Sequence, residues 1–152
     1  MVKFGVILKD LSASWLSYLV LKQINTIIEE KTNDDFVIFF ENVAPMCMAP
    51  KCATMSVNEI WNFEGTLVST DFSTHEMLNA VINNKCNKIF YIWDLEWLRN
   101  KKNFIENISI LRNPDVEIVV RNKIHSKAFR NYANREPDHV ISNFNILELM
   151  EL

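Results

Sequence analysis

Residues 2–40, VKFGVILKDLSASWLSYLVLKQINTIIEEKTNDDFVIFF, contain the clearest structural pattern of this chain. Residues 2–8 and 36–40 are continuously apolar runs of the length expected for buried strands. Between them, over residues 15–30, apolar side chains recur every three or four positions, which predicts an amphipathic helix. Because a strand that is apolar on both sides needs both faces covered, the two strands are predicted to lie in a parallel sheet.

The remaining sequence continues the same alternation of strands and helices. Residues 42–55 are interpreted as a loop that packs down on the body, and Ser56 as the cap of a short helix. We therefore predict one α/β domain over residues 1–152, a doubly wound and mostly parallel Rossmann-like sheet of about six strands with helices on both faces. The other predicted strands are residues 66–70, 88–93, 116–120 and 139–142, and the other predicted helices are residues 73–83, 96–111, 126–133 and 146–152.

The composition excludes several classes of function. The chain has 152 residues, with 16 Lys and Arg against 19 Asp and Glu, and its formal net charge is −3. This balance argues against nucleic acid as a partner, because binding to a phosphate backbone needs clustered basic residues. Only two glycines are present, so the glycine-rich phosphate loops of kinases, P-loop proteins and ordinary NAD-binding domains are missing. We expect no cofactor.

Apolar stretches and the positions of cysteines and histidines indicate the compartment and whether a metal site is expected. The longest uncharged stretch, residues 11–21, is too short to span a membrane, and no signal-peptide pattern is found. Three cysteines, Cys47, Cys52 and Cys86, suit a reducing compartment, and we predict a cytoplasmic protein. Neither these cysteines nor the separated histidines have zinc-ligand spacing, so no metal site is expected.

Candidate binding residues follow from the predicted topology. Ligands of open parallel sheets bind beyond the carboxyl ends of the strands, near the point where strand order reverses. Any strand must also end in a solvated loop, and this is the alternative explanation for polar residues there. The predicted ligand-binding residues at this edge are Lys9, Asp10, Thr70, Asp71, Arg121, His125 and Asn143.

Residues 91–97, YIWDLEW, place two acids between two tryptophans where a strand becomes a helix. We predict Asp94 and Glu96 as catalytic residues, acting as general base or as acceptor of sugar hydroxyls, with a tryptophan as stacking platform. The alternative is structural, because an aspartate at this point can cap a helix and Glu96 in its first turn suits the helix dipole.

Two further clusters have competing explanations. Arg121 and His125 come at the start of a predicted helix and could bind an anion, or they could belong to a basic solvated helix face. His75 lies close to Ser69 and Asp71, but no nucleophile elbow or oxyanion loop is recognisable. We therefore expect His75 to be an exposed residue of a helix's first turn, and we do not expect a catalytic triad.

The end of the chain carries a family resemblance. It reads VEIVVRN, then HSKAFRNYANREPD, then HVISNFNILEL, as strand, helix and short strand. This order resembles the end of the amino-terminal domain of GT-B glycosyltransferases, where an I-P-N-G-hydrophobic-D turn follows the short strand. Residues 141–145, ISNFN, keep the isoleucine and the asparagine of that turn but lack its proline, glycine and aspartate. The whole chain, with its WDLEW segment, also resembles small uncharacterised proteins of T4-like marine phages.

The GT-B resemblance implies a particular role. Those enzymes have two Rossmann-like domains and bind the sugar nucleotide mainly in the second. The expectation is thus an acceptor-side half, contacting a sugar acceptor or nucleotide sugar and completed by a second domain or a partner chain. The alternative is a non-catalytic binding or assembly module, for example a homodimer formed through Met46, Met48 and Met55.

Overall fold

The computed structural model describes residues 3–30, 33–81, 85–99 and 103–152. Seven strands in these residues form one sheet in which every pair of neighbours is parallel. The strands are β1 (Lys3–Leu8), β2 (Asp35–Phe40), β3 (Ala53–Ser56), β4 (Gly65–Ser69), β5 (Cys86–Ile92), β6 (Glu117–Val120) and β7 (His139–Val140). Their order across the sheet is β3-β2-β1-β4-β5-β6-β7.

Helices connect most of these strands, and the predicted α/β Rossmann-like architecture is confirmed. The α-helices of the described residues are α1 (Trp15–Glu29), α2 (Phe72–Ala80), α3 (Glu96–Arg99), α4 (Phe104–Leu111), α5 (Lys123–Ala133) and α6 (Ile146–Met150). Two 3-10 helices, Val57–Asn62 and Ser142–Phe144, complete the set. Ser14 caps α1 by accepting the N–H of Ser17, and the predicted cap Ser56 accepts the N–H of Asn58 before the first 3-10 helix.

Strand order reverses between β1 and β4. From β1 the chain builds outward through β2 to β3, crosses back to place β4 on the other side of β1, and continues outward to β7. The register pairs Ile7 of β1 with Ser69 of β4, and Ser69 with Phe90 of β5. The carboxyl ends of these three strands therefore meet at the topological switch point, where ligands of such sheets bind.

Both faces of the sheet are covered. On one face, Phe4, Val6 and Leu8 of β1 pack with α1 residues such as Val20 and Ile24, together with Phe144, Ile146 and Leu149 near the end of the chain. The other face is covered by the Val57–Asn62 helix and α2 on one side and by α3, α4 and α5 on the other. The hydrophobic side of α1 thus faces the sheet, as its periodicity predicted, whereas Phe104 and Ile105 of α4 are exposed.

The structure differs from the sequence prediction in several places, for example because β7 ends at Val140 instead of residue 142 and α5 begins at Lys123 instead of residue 126. A seventh strand, β3, lies inside the stretch interpreted as a loop; it is a short edge strand whose residues are exposed or half-buried, so it lacks an apolar run. The helix predicted for residues 96–111 consists of α3 and α4, because Asn103 has a left-handed φ of 62° before α4. The helix predicted for residues 73–83 ends at Ala80, since Val81 is extended. Residues 2, 82–83 and 100–102 of the predicted elements lie outside the described residues.

A buried tyrosine fastens the end of the chain to the sheet. The Tyr91 hydroxyl donates to the Ile141 carbonyl and accepts the N–H of Phe144 at 3.2 Å. Its ring packs against that of Phe144 with centroids 4.7 Å apart. Burial raises the pKa of Tyr91 to about 12, so the hydroxyl stays protonated and able to donate.

Candidate functional site

A cleft of about 490 Å³ opens at the carboxyl ends of β1, β4 and β5, at the switch point. Six of the nine predicted site residues line it: Lys9, Asp10, Thr70, Asp71, Asp94 and Glu96. The lining also includes Ser12, Ser14, Trp15, Ser17 and Trp93, of which Trp93 belongs to the 91–97 motif whose tryptophans were considered as a stacking platform. The carboxyl ends of these strands therefore surround a concavity, as expected for an open parallel sheet.

The β1 side of the cleft is built around Asp10. Its carboxylate accepts the N–H of Ser12 at 2.9 Å and the hydroxyl of Ser12 at 2.5 Å. These hydrogen bonds, that of the Ser12 hydroxyl above all, hold the pKa of Asp10 below its usual value. The Asp10 carbonyl in turn accepts the Ser17 hydroxyl at 2.9 Å, which ties the loop to α1. Asp10 is thus a fixed negative charge at the cleft.

The β4 side is rigid because its polar groups bond within the chain. Thr70 is buried, and its hydroxyl donates to the Ile7 carbonyl at 2.9 Å. Asp71 caps α2 by accepting the N–H of Thr74 at 2.7 Å, and the Thr74 hydroxyl accepts the N–H of Asp71. This capping box orients Asp71 at the cleft, whereas the Thr70 hydroxyl is already engaged with β1.

The β5 side brings together the two predicted catalytic acids. The Asp94 side chain is 49% exposed and lies 3.8 Å from Arg99. Glu96, the first residue of α3, accepts the N–H of Phe72 at 2.9 Å and so bonds to the start of α2. Burial raises the pKa of Glu96, and the neighbouring charges of Asp71 and Asp94 raise it further, against the opposing effects of the Phe72 hydrogen bond and Lys9.

The alternative of simple helix capping describes these acids only in part. Asp94 lies two residues before α3, and Glu96 is in the first turn of α3, where a negative charge suits the helix dipole. The Glu96 carboxylate, however, accepts a hydrogen bond from the first residue of a different helix, α2. It therefore links the loop after β5 to the loop after β4 and fixes the two walls of the cleft relative to each other.

Two tryptophans line the cleft. Trp15, in the first turn of α1, is 61% exposed, and its ring stacks on that of Tyr18 with centroids 5.6 Å apart. The other is Trp93, the first residue after β5, whereas Trp97 of the same motif is buried and stacks on Tyr132. The sequence analysis missed Trp15, although its position as the first residue of the helix that follows the first strand was a usable signal.

Arg121 and His125 lie beside the cleft rather than in its lining. The Arg121 guanidinium stacks over the Trp93 ring, 4.3 Å from its centroid, and donates to the Trp93 carbonyl at 3.4 Å. Burial and the nearby Arg121 lower the pKa of His125. The side chain of Asn122, which caps α5, accepts the N–H of His125 at 2.8 Å. The arginine supports the aromatic wall of the cleft instead of facing it.

Asn143, the last of the predicted ligand-binding residues, lies outside the cleft lining. It has a left-handed φ of 54° in the second 3-10 helix, and its carbonyl accepts the side-chain amide of Gln23 at 3.0 Å. This contact joins α1 to the end of the chain. The structure thus does not bring Asn143 together with the residues of the cleft.

His75 does not lie where the sequence analysis placed it. The prediction of an exposed histidine is wrong, because His75 is fully buried and its Nδ1 is 2.9 Å from the Ser69 hydroxyl. Its ring stacks on Phe90 with centroids 4.6 Å apart. Burial, with a smaller contribution from Lys88, lowers the pKa of His75 to about 4, so the ring is neutral at pH 7. His75 is buried because this position lies on the side of α2 that faces the sheet.

Among the described residues of the cleft lining, acidic side chains outnumber basic ones. They are the four carboxylates of Asp10, Asp71, Asp94 and Glu96 and one ammonium group, that of Lys9. A further carboxylate, that of Glu41 after β2, accepts the hydroxyl of Ser73 in the first turn of α2 at 3.1 Å. Within the described residues, no group of three or more His, Cys, Asp or Glu side chains is arranged to hold a metal ion.

Comparison with models of protein families, with curated proteins and with solved structures yields no match to this chain. The GT-B and phage resemblances therefore stay predictions. Among the helices that the structure describes, none is long and apolar enough to cross a membrane.

Proposed function

We propose that the cleft binds a sugar, and that the chain is the acceptor-side domain of a GT-B type glycosyltransferase. The observation that carries the proposal is the convergence of carboxylates and tryptophans in one cleft at the switch point of a Rossmann-like sheet. Carboxylate oxygens accept hydrogen bonds from sugar hydroxyls, and an exposed tryptophan offers a flat apolar surface to the C–H face of a sugar ring.

The electrostatics of the cleft favour an acceptor over a nucleotide-sugar donor. A diphosphate needs cationic side chains or free amides at a helix N-terminus. Lys9 is the one cationic residue of the described cleft lining, and the amides of Phe72 and Thr74 at the start of α2 already bond to Glu96 and Asp71. We infer that the donor is bound by a second domain, in the same chain or in a partner.

Asp94 is the residue we assign as general base. It is half exposed, lies beside the cleft's aromatic wall, and is free of the hydrogen bond that engages Glu96. In the proposed reaction Asp94 takes the proton of the acceptor hydroxyl as its oxygen attacks the sugar carbon of the donor and the nucleotide leaves. Glu96 orients this wall through its bond to Phe72.

Two measurements test this function. Saturation-transfer NMR with monosaccharides at millimolar concentration should detect binding to the isolated chain, and Trp15→Ala should weaken it. A thermal-shift panel of nucleotide sugars should leave the melting temperature of the chain unchanged, because the donor site is incomplete. Absence of binding by every monosaccharide would count against the proposal, and strong stabilisation by one nucleotide sugar would overturn the acceptor-side assignment.

A second candidate function is a non-catalytic assembly module that forms a homodimer. Exposed apolar side chains near the β3 edge of the sheet favour it: Val43 is 91% exposed, and Met46 and Met55 are also exposed, whereas Met48 packs against the core. Exposed apolar groups next to an uncovered strand edge favour association. Light scattering that shows a monomer at millimolar concentration would contradict this candidate.

We infer the compartment from cysteine chemistry. Cys47, Cys52 and Cys86 are free and half-buried. Burial raises the pKa of Cys52 to about 11 and that of Cys86 above its usual value, which makes these two thiols unreactive. We infer a reducing compartment, such as the cytoplasm of a host cell.

A further inference from the structure

We propose that α2 is an acid-sensitive switch in the wall of the cleft, which detaches from the sheet on mild acidification while the rest of the domain stays folded. The group that senses acid is the buried side chain of His75. Its movement reaches the cleft because α2 begins directly after Asp71, a lining residue. The switch belongs to the free protein and is independent of the proposed sugar-binding function.

The hydrogen bonds around His75 leave one ring nitrogen without a partner. The Ser69 hydroxyl donates to the Ile89 carbonyl at 3.2 Å, so towards the His75 Nδ1, 2.9 Å away, it acts as acceptor. The neutral ring therefore carries its hydrogen on Nδ1 and a bare lone pair on Nε2. Nε2 is buried, and no group of the described residues bonds to it. A second proton would enter at this nitrogen, where the new N–H and its charge would be buried without an acceptor.

The titratable groups on the elements packed against the ring do not favour its protonation. β4 contains no titratable residue, and on β5 the ammonium of Lys88 acts against a positive charge on His75. Cys86 of β5 is neutral, because burial raises the pKa of its thiol. On α2 itself, the Asp71 carboxylate is bonded at the N-cap and Glu76 is exposed to solvent. Protonation is therefore disfavoured while α2 lies on the sheet.

Apolar packing holds α2 only weakly. Its fully buried side chains are those of Thr74, His75 and Leu78, of which Leu78 alone is aliphatic. Segments with few buried apolar contacts open locally at a lower free energy than the core. Because His75 is one of these three anchors, a charge on its ring weakens the attachment of the whole helix.

Detachment of α2 would take apart one wall of the cleft. The N–H of Phe72, the first residue of α2, bonds to the Glu96 carboxylate, and the Ser73 hydroxyl donates to Glu41 at 3.1 Å. Both bonds tie the start of α2 to loops that follow other strands. When the helix leaves, these links break and Asp71 loses the N-cap position that orients it.

Proton binding to the open state sets the size of the effect. The pKa of His75 is about 4 with α2 in place and about 6.5 once the ring is in water. The open state therefore binds more protons below pH 6.5, and the equilibrium constant of opening rises as the pH falls. Between pH 7 and pH 5 these pKa values correspond to an increase of about twentyfold.

Amide hydrogen exchange of the ligand-free protein, followed by NMR at pH 7 and pH 5 and corrected for the intrinsic exchange rate at each pH, tests the switch. We expect the amides of α2 to exchange through a local opening that low concentrations of urea do not accelerate, and that is about twentyfold more populated at pH 5. The amides of α1 should exchange through global unfolding and stay better protected at both pH values. Equal protection of α1 and α2 would overturn the proposal, because α2 would then not open separately.

Variants separate His75 from the other titrating groups. His75→Asn keeps a side-chain amide that can donate to Ser69 but does not titrate, and it should abolish the pH dependence of exchange in α2. His139→Asn is the matched control at a partly exposed histidine, and Glu96→Gln removes the titration of the carboxylate bonded to α2; both should retain the pH dependence. The opposite result in any of the three variants would overturn the proposal. If His75→Asn does not fold, the ring signals of His75 in the wild type decide: no titration above pH 5 is expected, and a pKa near the ordinary value would overturn the proposal.

Discussion

The Glu96 carboxylate accepts the backbone N–H of Phe72 at 2.9 Å, and this bond connects the start of α3 to the start of α2. Two loops that follow neighbouring strands are thereby held together at the switch point. Because Asp94 precedes Glu96 and Asp71 precedes Phe72, the bond also sets the separation of two carboxylates of the cleft. The bond therefore fixes part of the geometry of the site.

Removal of this acceptor should destabilise the protein. Glu96→Ala leaves a half-buried backbone N–H without its partner, and we expect a loss of about 1–2 kcal/mol in the free energy of unfolding. Glu96→Gln keeps an acceptor oxygen and should cost less than half as much. Urea unfolding followed by circular dichroism measures both values. Glu106→Ala removes an exposed glutamate from the first turn of another helix and serves as control, since it tests the helix dipole without the cross-link. Equal losses at the two positions would contradict the bridging role.

Burial of His75 makes stability depend on pH. Its pKa is about 4 in the folded protein and about 6.5 in the unfolded chain. Between these values the unfolded chain binds more protons, so the contribution of His75 is fully present above pH 6.5 and is lost as the pH falls towards 4. The difference corresponds to about 3 kcal/mol.

The measurement compares unfolding free energies at pH 7 and pH 4.5 in the wild type and in His75→Gln. The variant should lose less stability on acidification than the wild type, because its side chain at this position does not titrate. His139→Gln, a change at a partly exposed histidine near Glu117, is the matched control. Identical pH dependence in wild type and His75→Gln would contradict the buried neutral histidine.

Gly65 is required by the backbone at the start of β4. Its φ is +133°, and a Cβ placed there would lie 2.3 Å from the Lys3 carbonyl oxygen. Gly65→Ala should therefore cost more than about 2 kcal/mol, since backbone atoms of β1 must move. Thermal unfolding measures the effect, with Asn87→Ala, an exposed strand position, as control. A change within 0.5 kcal/mol of the control would refute this expectation.

The hydrogen bonds of the Tyr91 hydroxyl should contribute strongly to holding the last residues of the chain against the sheet. Tyr91→Phe removes the partner of the Ile141 carbonyl and of the Phe144 N–H, both at buried positions, and we expect a loss of about 1–3 kcal/mol. Hydrogen exchange should show faster exchange of the amides in α6, whereas Tyr18→Phe should leave them unaffected. Unchanged protection in Tyr91→Phe would show that apolar packing alone holds this segment.

The architecture was predictable because it rests on long, repeated signals. Apolar runs such as residues 36–40 and the helical period of residues 15–30 correspond to β2 and α1, and their alternation gave the sheet type. β3 was not predictable in this way, since a four-residue edge strand needs no apolar run and is held by pairing with β2. Whether a helix position faces the sheet depends on the rotation of the helix about its axis. The prediction of an exposed His75 was wrong because α2 turns this position towards the sheet.

The position of the cleft was predictable from the sequence, but the hydrogen bonds of its side chains were not. The rule for carboxyl ends of parallel strands brought Asp10, Asp71 and Asp94 to one cleft. The rule could not predict that the Thr70 hydroxyl donates to the Ile7 carbonyl or that the Glu96 carboxylate accepts the N–H of Phe72. Both hydrogen bonds join segments far apart in sequence. Asn143 was selected by the same rule, but its backbone instead bonds to Gln23 of α1.

The most direct test of the central claim, that the switch-point cleft binds a sugar, is an NMR titration of the four tryptophan indole N–H signals with glucosamine. Single Trp→Phe variants assign the signals. We predict that the signals of Trp15 and Trp93, which line the cleft, shift with a common saturation curve, while those of Trp61 and Trp97, outside the lining, stay in place. Four unchanged signals at millimolar ligand, or shifts as large at Trp61 as at Trp15, would contradict the account.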